Sequence, residues 1–241
     1  YQPKIDIRTN VVIGYEALLR WIRPDGSMIP PLRFIPVAES TGLIVEIGEW
    51  IIWEACRFIS RQQSRGHNVT ISINLSARQF TDQNLTEIVE RVLQRTGAQP
   101  DKLIFEITES MLMGDTDAAI AQLNELKGLG VTLSIDDFGT GYSSLSYLKR
   151  FPVDELKIDR SFVKDIPADT NDMDIVAAII AMAQKMNLRV VAEGVETIEQ
   201  VEFLKNNACY LVQGYYFSMP RAEQDLYNLS YQPLLTGEAS L

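Results

Sequence analysis

Six short apolar runs punctuate the chain, at residues 69–75, 103–108, 131–135, 155–158, 190–192 and 210–212. They are continuous rather than alternating, the pattern of strands buried on both faces, and hence of a parallel sheet. Helix-period segments separate most of them. Residues 44–60 place Ile44, Ile47, Ile51, Ala55 and Phe58 on one side, and 85–93 run to a Thr96-Gly97 stop. Residues 118–129 end before Gly130, and 175–186 carry Ile175, Val176, Ile179, Met182, Ala183 and Met186 on one face. Thr197 with Gln200 three residues on has the spacing of a capping box and opens a helix to Lys205. Ahead of all this, 2–7 and 11–19 are β-rich and joined by Arg8-Thr9-Asn10, which reads as a hairpin. With the hairpin there are eight strands, and their alternation with helices points to an α/β fold, a TIM-like (β/α)8 barrel. The hairpin makes the first strand antiparallel to the second, a departure from the regular barrel. A doubly wound open sheet is the alternative, but no Gly-x-Gly-x-x-Gly follows an early strand.

Composition narrows the partners. The 241 residues are 46% hydrophobic and 22% charged, with 22 Lys plus Arg against 32 Asp plus Glu and a formal net charge of −10. So acidic a surface repels duplex nucleic acid and anionic membranes but leaves room for a small phosphorylated ligand in a local site. Cys56 and Cys209 lie in apolar surroundings and read as reduced core residues. His67 is the single histidine, which excludes a His/Cys zinc site, and a Ser-His-Asp triad unless His67 supplies it. No apolar run approaches a membrane span and no signal peptide is visible, so the expected location is cytoplasmic, with any membrane anchor in a longer parent. The start at Tyr1-Gln2-Pro3-Lys4 fits one domain, 1–241, cut from a longer protein, with 230–241 as a tail.

Each apolar run after the first strand carries a polar residue at or near its C-terminal end: Glu16, Asn74, Glu106, Asp136 with Asp137, Lys157 with Asp159, Glu193 and Gln213. In a β/α barrel these ends converge on the face where active sites sit. Five carboxylates at one mouth repel each other, and an unpaired buried carboxylate takes up a proton, so bound divalent cations would offset the repulsion. Glu16, Asn74, Glu106, Asp136, Asp137 and Glu193 form an all-oxygen set suited to Mg²⁺, Mn²⁺ or Ca²⁺. The adjacent Asp136-Asp137 pair suits a bridge between two ions. Arg20, four residues after Glu16, has the fork to clamp a phosphate or to pair with the acidic cluster. Lys157 is a structural partner of Asp136 or Asp159, or a functional cation. Residues 139–144, with Gly139 and Gly141, read as a mobile loop after the Asp pair. Pro30-Pro31 and Phe34-Ile35-Pro36 read as a rim turn, and Tyr215, Tyr216 and Phe217 as core or as a stacking face.

These residues resemble the EAL domains, bacterial cyclic-di-GMP phosphodiesterases. The resemblance rests on Glu16-Ala17-Leu18 with Leu19-Arg20-Trp21, Phe34-Ile35-Pro36 through Glu39, Ser72 to Ser76, and Glu106-Ile107-Thr108-Glu109-Ser110. It continues through Asp136 to Gly141, Leu156-Lys157-Ile158-Asp159, Glu193-Gly194-Val195-Glu196 and Gln213-Gly214. Eight motifs in order cover nearly the whole chain. The resemblance implies a barrel with an antiparallel first strand. It implies hydrolysis of cyclic-di-GMP to linear pGpG with two Mg²⁺ or Mn²⁺ ions, inhibited by Ca²⁺. Residues matching Glu16, Asn74, Glu106 and Asp136 hold one metal in such domains; Asp136, Asp137 and Glu193 serve the second metal or its water. Lys157 matches the catalytic lysine, and Glu193 a metal ligand or general base. Arg20 matches a phosphate contact, Gln213 and Asp159 stand in the substrate region, and Glu109 matches the residue that steadies the loop after the Asp pair. A homodimer and an upstream GGDEF-type or sensory domain are also implied. The departures are peripheral: Ala208 and Tyr210 beside Cys209, Met219 before Pro220, and no helix ahead of the first strand. A receptor that binds cyclic-di-GMP without cleaving it is the alternative function, and a Schiff-base lyase using Lys157 a third.

Overall fold

The computed structural model describes residues 1–141 and 145–226. The strands are β1 (Gln2–Asp6), β2 (Val11–Ala17), β3 (Trp21–Ile22), β4 (Met28–Ile29), β5 (Thr70–Asn74), β6 (Leu103–Thr108), β7 (Thr132–Phe138), β8 (Glu155–Ile158), β9 (Arg189–Ala192) and β10 (Leu211–Val212). All but β3 and β4 close a barrel in the order β1-β2-β5-β6-β7-β8-β9-β10 and back to β1. β1 is antiparallel to both its neighbours and every other pair is parallel. The expected barrel and its inverted first strand are both present. The tight link of residues 7–10 dictates the inversion, because a parallel neighbour needs a crossover of a dozen residues or more.

The longer helices are α1 (Pro31–Thr41), α2 (Leu43–Ser64), α4 (Leu85–Thr96), α6 (Thr116–Gly128), α9 (Thr170–Lys185) and α10 (Ile198–Asn206). Short turns of helix form α3 (Ala77–Phe80), α5 (Glu109–Leu112), α7 (Leu145–Leu148), α8 (Arg160–Val163) and α11 (Glu223–Leu226). The Thr197–Gln200 capping box is formed, and Asp115 and Asp169 cap α6 and α9, so both start earlier than their apolar faces imply. The rim turn expected over Pro30–Pro36 is instead α1. Pro31 occupies the first helical position, where a missing N–H costs nothing, and the helix tolerates Pro36 inside it. Gly42, at φ 87°, ends α1 and begins α2. Cys56 and Cys209 are buried and free.

The apolar core lies between the strands and the helices. Outward-facing Ile5, Ile71, Phe105, Leu133 and Leu156 pack with Phe58, Val92, Leu123 and Val176. The alternate residues face the barrel axis, and at most levels they are polar: Lys4, Ser72, Glu106, Ser134, Glu155 and Lys157, all buried. Such an interior persists only if its charges are paired and its donors satisfied.

Candidate active site

Glu16, Asn74, Glu106, Asp136, Lys157, Glu193 and Gln213 meet at the C-terminal end of the parallel strands, while Asp137 and Asp159 stand at the rim and Arg20 at the edge. Lys157, 1% exposed, stands at the centre. Its Nζ lies 2.6 Å from Glu193 Oε1, 2.7 Å from Glu106 Oε2, 3.2 Å from Asp136 Oδ1 and 3.7 Å from Glu16 Oε2. Its expected pairing with Asp136 is one of these four. Glu16 is fixed from two further sides, accepting from Asn74 Nδ2 at 2.8 Å and from Gln213 Nε2 at 2.5 Å. Gln213 also donates to Gln2 Oε1 at 3.1 Å, which ties β10 to β1 at the rim.

The Asp pair needs a special backbone, because consecutive strand residues normally point to opposite faces. β7 pairs with β8 through Ile135 and Leu156, then again only through Phe138 and Ile158, so two residues of β7 oppose Lys157 alone. This is a β-bulge, and Asp137 absorbs it at φ 52°. Asp136 stays buried while Asp137 remains exposed, its N–H donating to Asp136 Oδ1 at 2.9 Å. Asp159 caps α8 through the Ser161 N–H and stands beside Asp137, whose charge it opposes.

Electrostatics separates the carboxyls. Burial raises Glu193 to about 8, an effect that Lys157 opposes and Asp136 reinforces. Glu16 and Asp136 are raised for the same reasons, burial first. Asp137 is raised by burial and then by Asp159. Glu106 goes the other way: burial disfavours its charge, but Lys157 and Lys4 outweigh that and hold it at about 2. Lys157 is raised well above its ordinary value, since the surrounding carboxylates overcome desolvation. An amine nucleophile needs the opposite shift, so the Schiff-base chemistry finds no support in the lysine's surroundings. The mouth carries more negative charge than one lysine neutralises, and its donors are all oxygens, which fits hard divalent cations. Among the described residues, no three acidic side chains are already spread as an ion cage. They are drawn instead onto the Lys157 ammonium.

Arg20 lies at the edge, its Nη1 donating to the Leu19 carbonyl at 2.9 Å. It lines a cleft of about 380 Å³ that runs from Asn74 and Ser76 past Glu39 to Trp50 and Ile51. Its side chain bonds to no member of the acidic cluster. Glu109, buried, accepts from the Gly139 N–H at 3.4 Å. The Thr140 hydroxyl donates to the Asp137 carbonyl at 2.8 Å, one turn behind it. Ser143 and Ser144 lie outside the described residues, as does the 230–241 tail. Tyr216 and Phe217 pack edge to face at 5.0 Å against the core, while Tyr215 is exposed. The floor beneath the mouth went unread in the sequence: Lys4, Ser72 and Glu155 join it through hydrogen bonds to Lys4 Nζ. The period-two alternation of Gln2, Lys4 and Asp6 with Pro3 and Ile5 was the signal that these side chains point inward.

The sequence profile of the EAL domain family matches residues 1–220. A bifunctional diguanylate cyclase/cyclic di-GMP phosphodiesterase, MucR of Pseudomonas aeruginosa, is 48% identical over 227 residues, which are 94% of this chain and 33% of that protein. The cyclic di-GMP phosphodiesterase PdeR of Escherichia coli is 42% identical over 91% of this chain and 33% of its own length. The chain thus spans about a third of these relatives. Among solved structures, a MucR phosphodiesterase in complex with c-di-GMP superposes with a TM-score of 0.91 at 48% identity, covering 94% of this chain and 92% of that one. No described helix is long and apolar enough to cross a membrane. Barrel, inverted first strand, strand-end residues and matched span agree: the chain belongs to the EAL domain family.

Proposed function

We propose that this chain hydrolyses cyclic-di-GMP to linear pGpG at the acidic barrel mouth, using two divalent cations, Mg²⁺ or Mn²⁺. The carrying observation is the convergence of Glu16, Glu106, Asp136 and Glu193 on Lys157, in a chain similar to proteins named as cyclic di-GMP phosphodiesterases. Glu16, Asn74, Glu106 and Asp136 would hold one cation, and Asp136, Asp137 and Glu193 the second. When bound, the ions supply Lewis acidity at a phosphoryl oxygen and at the attacking water.

The chain's own residues do the rest. Lys157 carries a permanent positive charge beside the reacting phosphate and stabilises charge that builds there. Where cations took over the carboxylates that now pair with it, this ammonium would be released to interact with the phosphate. Glu193 would serve as a ligand of the second cation or as the base that takes a proton from water. Arg20 and the adjoining cleft receive a phosphate and its nucleoside. Glu109 holds the start of the loop after Asp137 through the Gly139 N–H. The experiment is incubation of the purified chain with cyclic-di-GMP and Mg²⁺ or Mn²⁺, with and without chelator, following pGpG by chromatography. Metal-dependent product supports the reading. Tight binding without product at any metal concentration means a receptor instead.

A further inference from the structure

Beneath the mouth lies a second lysine to which the reaction above gives no part. Lys4 is 1% exposed and rises from β1, the antiparallel strand, into the barrel axis. Its partner in register on β2 is Gly14, where an added Cβ would run into Thr70. Lys4 Nζ reaches Ser72 Oγ at 2.6 Å, Glu106 Oε1 at 2.8 Å and Glu155 Oε1 at 3.5 Å. Three donors thus meet three acceptors on three different strands, β5, β6 and β8. An ammonium held this way has almost no freedom left.

Glu106 is therefore gripped from both sides, by Lys4 on Oε1 from below and by Lys157 on Oε2 from above. The two lysines differ in their surroundings: Lys157 is shared among the carboxylates of the mouth, Glu193, Asp136 and Glu16 besides Glu106, whereas Lys4 bonds only within the floor, to Ser72, Glu106 and Glu155. Glu155 has a second cation, with Arg189 Nε at 3.5 Å from its Oε2. Among the described residues, Glu106 Oε1 has Lys4 alone. We propose that Lys4 is a positioning residue: from the barrel floor it pins the inner oxygen of Glu106, so that the carboxylate presents its outer oxygen to the mouth. This rests on the phosphodiesterase reading and assigns a role to a residue outside the strand-end set. Lys4 touches neither substrate nor reacting atoms and acts through Glu106.

Two roles make opposite predictions. If Lys4 were only a positive charge near the site, its removal would strengthen cation binding. If it positions a ligand, removal weakens it. The test compares Lys4→Met with Lys4→Met/Glu155→Gln, which removes the floor's cation and anion together and spares a carboxylate left short of a partner. Mn²⁺ binding without substrate is measured by calorimetry, alongside melting temperature, kcat and KM. The expected result in both variants is Mn²⁺ binding weakened by at least roughly tenfold, as for other residues that orient a metal ligand. kcat falls by at least about tenfold with KM within about twofold. Glu155→Gln restores melting temperature to the double variant but neither Mn²⁺ affinity nor kcat. Unchanged or tighter Mn²⁺ binding, or recovery of kcat with stability, overturns the positioning role and makes Lys4 a mere partner of Glu155. A wild-type chain that neither binds Mn²⁺ nor cleaves cyclic-di-GMP refutes the underlying phosphodiesterase reading; active wild type with unaltered variants refutes only this inference.

Discussion

Replacing Glu193 by glutamine removes a charge that the metal-free barrel resists. The carboxyl is largely shielded from water, its side chain 17% exposed, beside Asp136, Glu16 and Glu106, and its affinity for a proton rises from the ordinary 4.5 to about 8. The folded state therefore holds this proton more tightly than the unfolded chain. The stability it contributes is complete below pH 4.5, declines as pH rises, and is gone above about 8. At pH 7 the interval from 4.5 corresponds to a penalty of up to about 3 kcal/mol, at 1.36 kcal/mol per pH unit. Glutamine keeps the shape and an oxygen for Lys157, which lies 2.6 Å from Oε1 in the native chain, but it never ionises. In chelator, Glu193→Gln should melt above wild type at pH 7–8, by up to roughly 6–12 °C for a chain of this size. Near pH 5 the two should nearly coincide. Saturating Mg²⁺ should reverse the order, since binding stabilises the native state and glutamine is a poorer ligand. A difference independent of pH, or a variant less stable than wild type at pH 8 in chelator, refutes the reasoning.

Glu16→Ala and Asp136→Ala should each abolish pGpG formation while the circular dichroism spectrum stays native. Asp136→Ala should also raise the metal-free melting temperature, whereas Glu16→Ala gains less because it strands the amide donors of Asn74 and Gln213. Glu109→Ala should lower turnover by at least roughly tenfold, about 1.4 kcal/mol of barrier, and weaken Mg²⁺ binding. Unchanged steady-state values would mean the Gly139 segment is held some other way. Excess chelator should stop turnover, and Ca²⁺ should fail to restore it because it accepts looser geometry than a two-ion phosphate clamp demands; equal rates with Ca²⁺ and Mg²⁺ would contradict that.

The strand ends were legible because burial and charge conflict there: Glu106 between Phe105 and Ile107, or Lys157 between Leu156 and Ile158, makes sense only if the side chain faces something polar. The inverted first strand was legible from the length of its connection to the second. Three features were not. α1 was hidden by Pro31 and Pro36, whose usual meaning as helix breakers fails at a first turn and in a rim helix that runs on through Pro36. The bulge at Asp137 depends on register against β8, which no local pattern encodes. The partners of Lys4 were hidden even though the alternation of β1 turns it inward, because Ser72, Glu106 and Glu155 lie 68, 102 and 151 residues away. Long-range convergence of this kind is set by barrel closure, not by neighbours in sequence.

The most direct measurement of the central claim is the position of the ions. Crystals of the wild-type chain would be grown with Mn²⁺ and a non-hydrolysable phosphorothioate analogue of cyclic-di-GMP, and their anomalous scattering mapped. The account predicts two Mn²⁺ peaks at the barrel mouth. One lies at about 2.0–2.2 Å from oxygens of Glu16, Asn74, Glu106 and Asp136, the other shares Asp136 and reaches Asp137 and Glu193, with the scissile phosphate between them and Lys157 turned toward it. A substrate-bound mouth without Mn²⁺, or Mn²⁺ bound elsewhere while pGpG still forms, would contradict it.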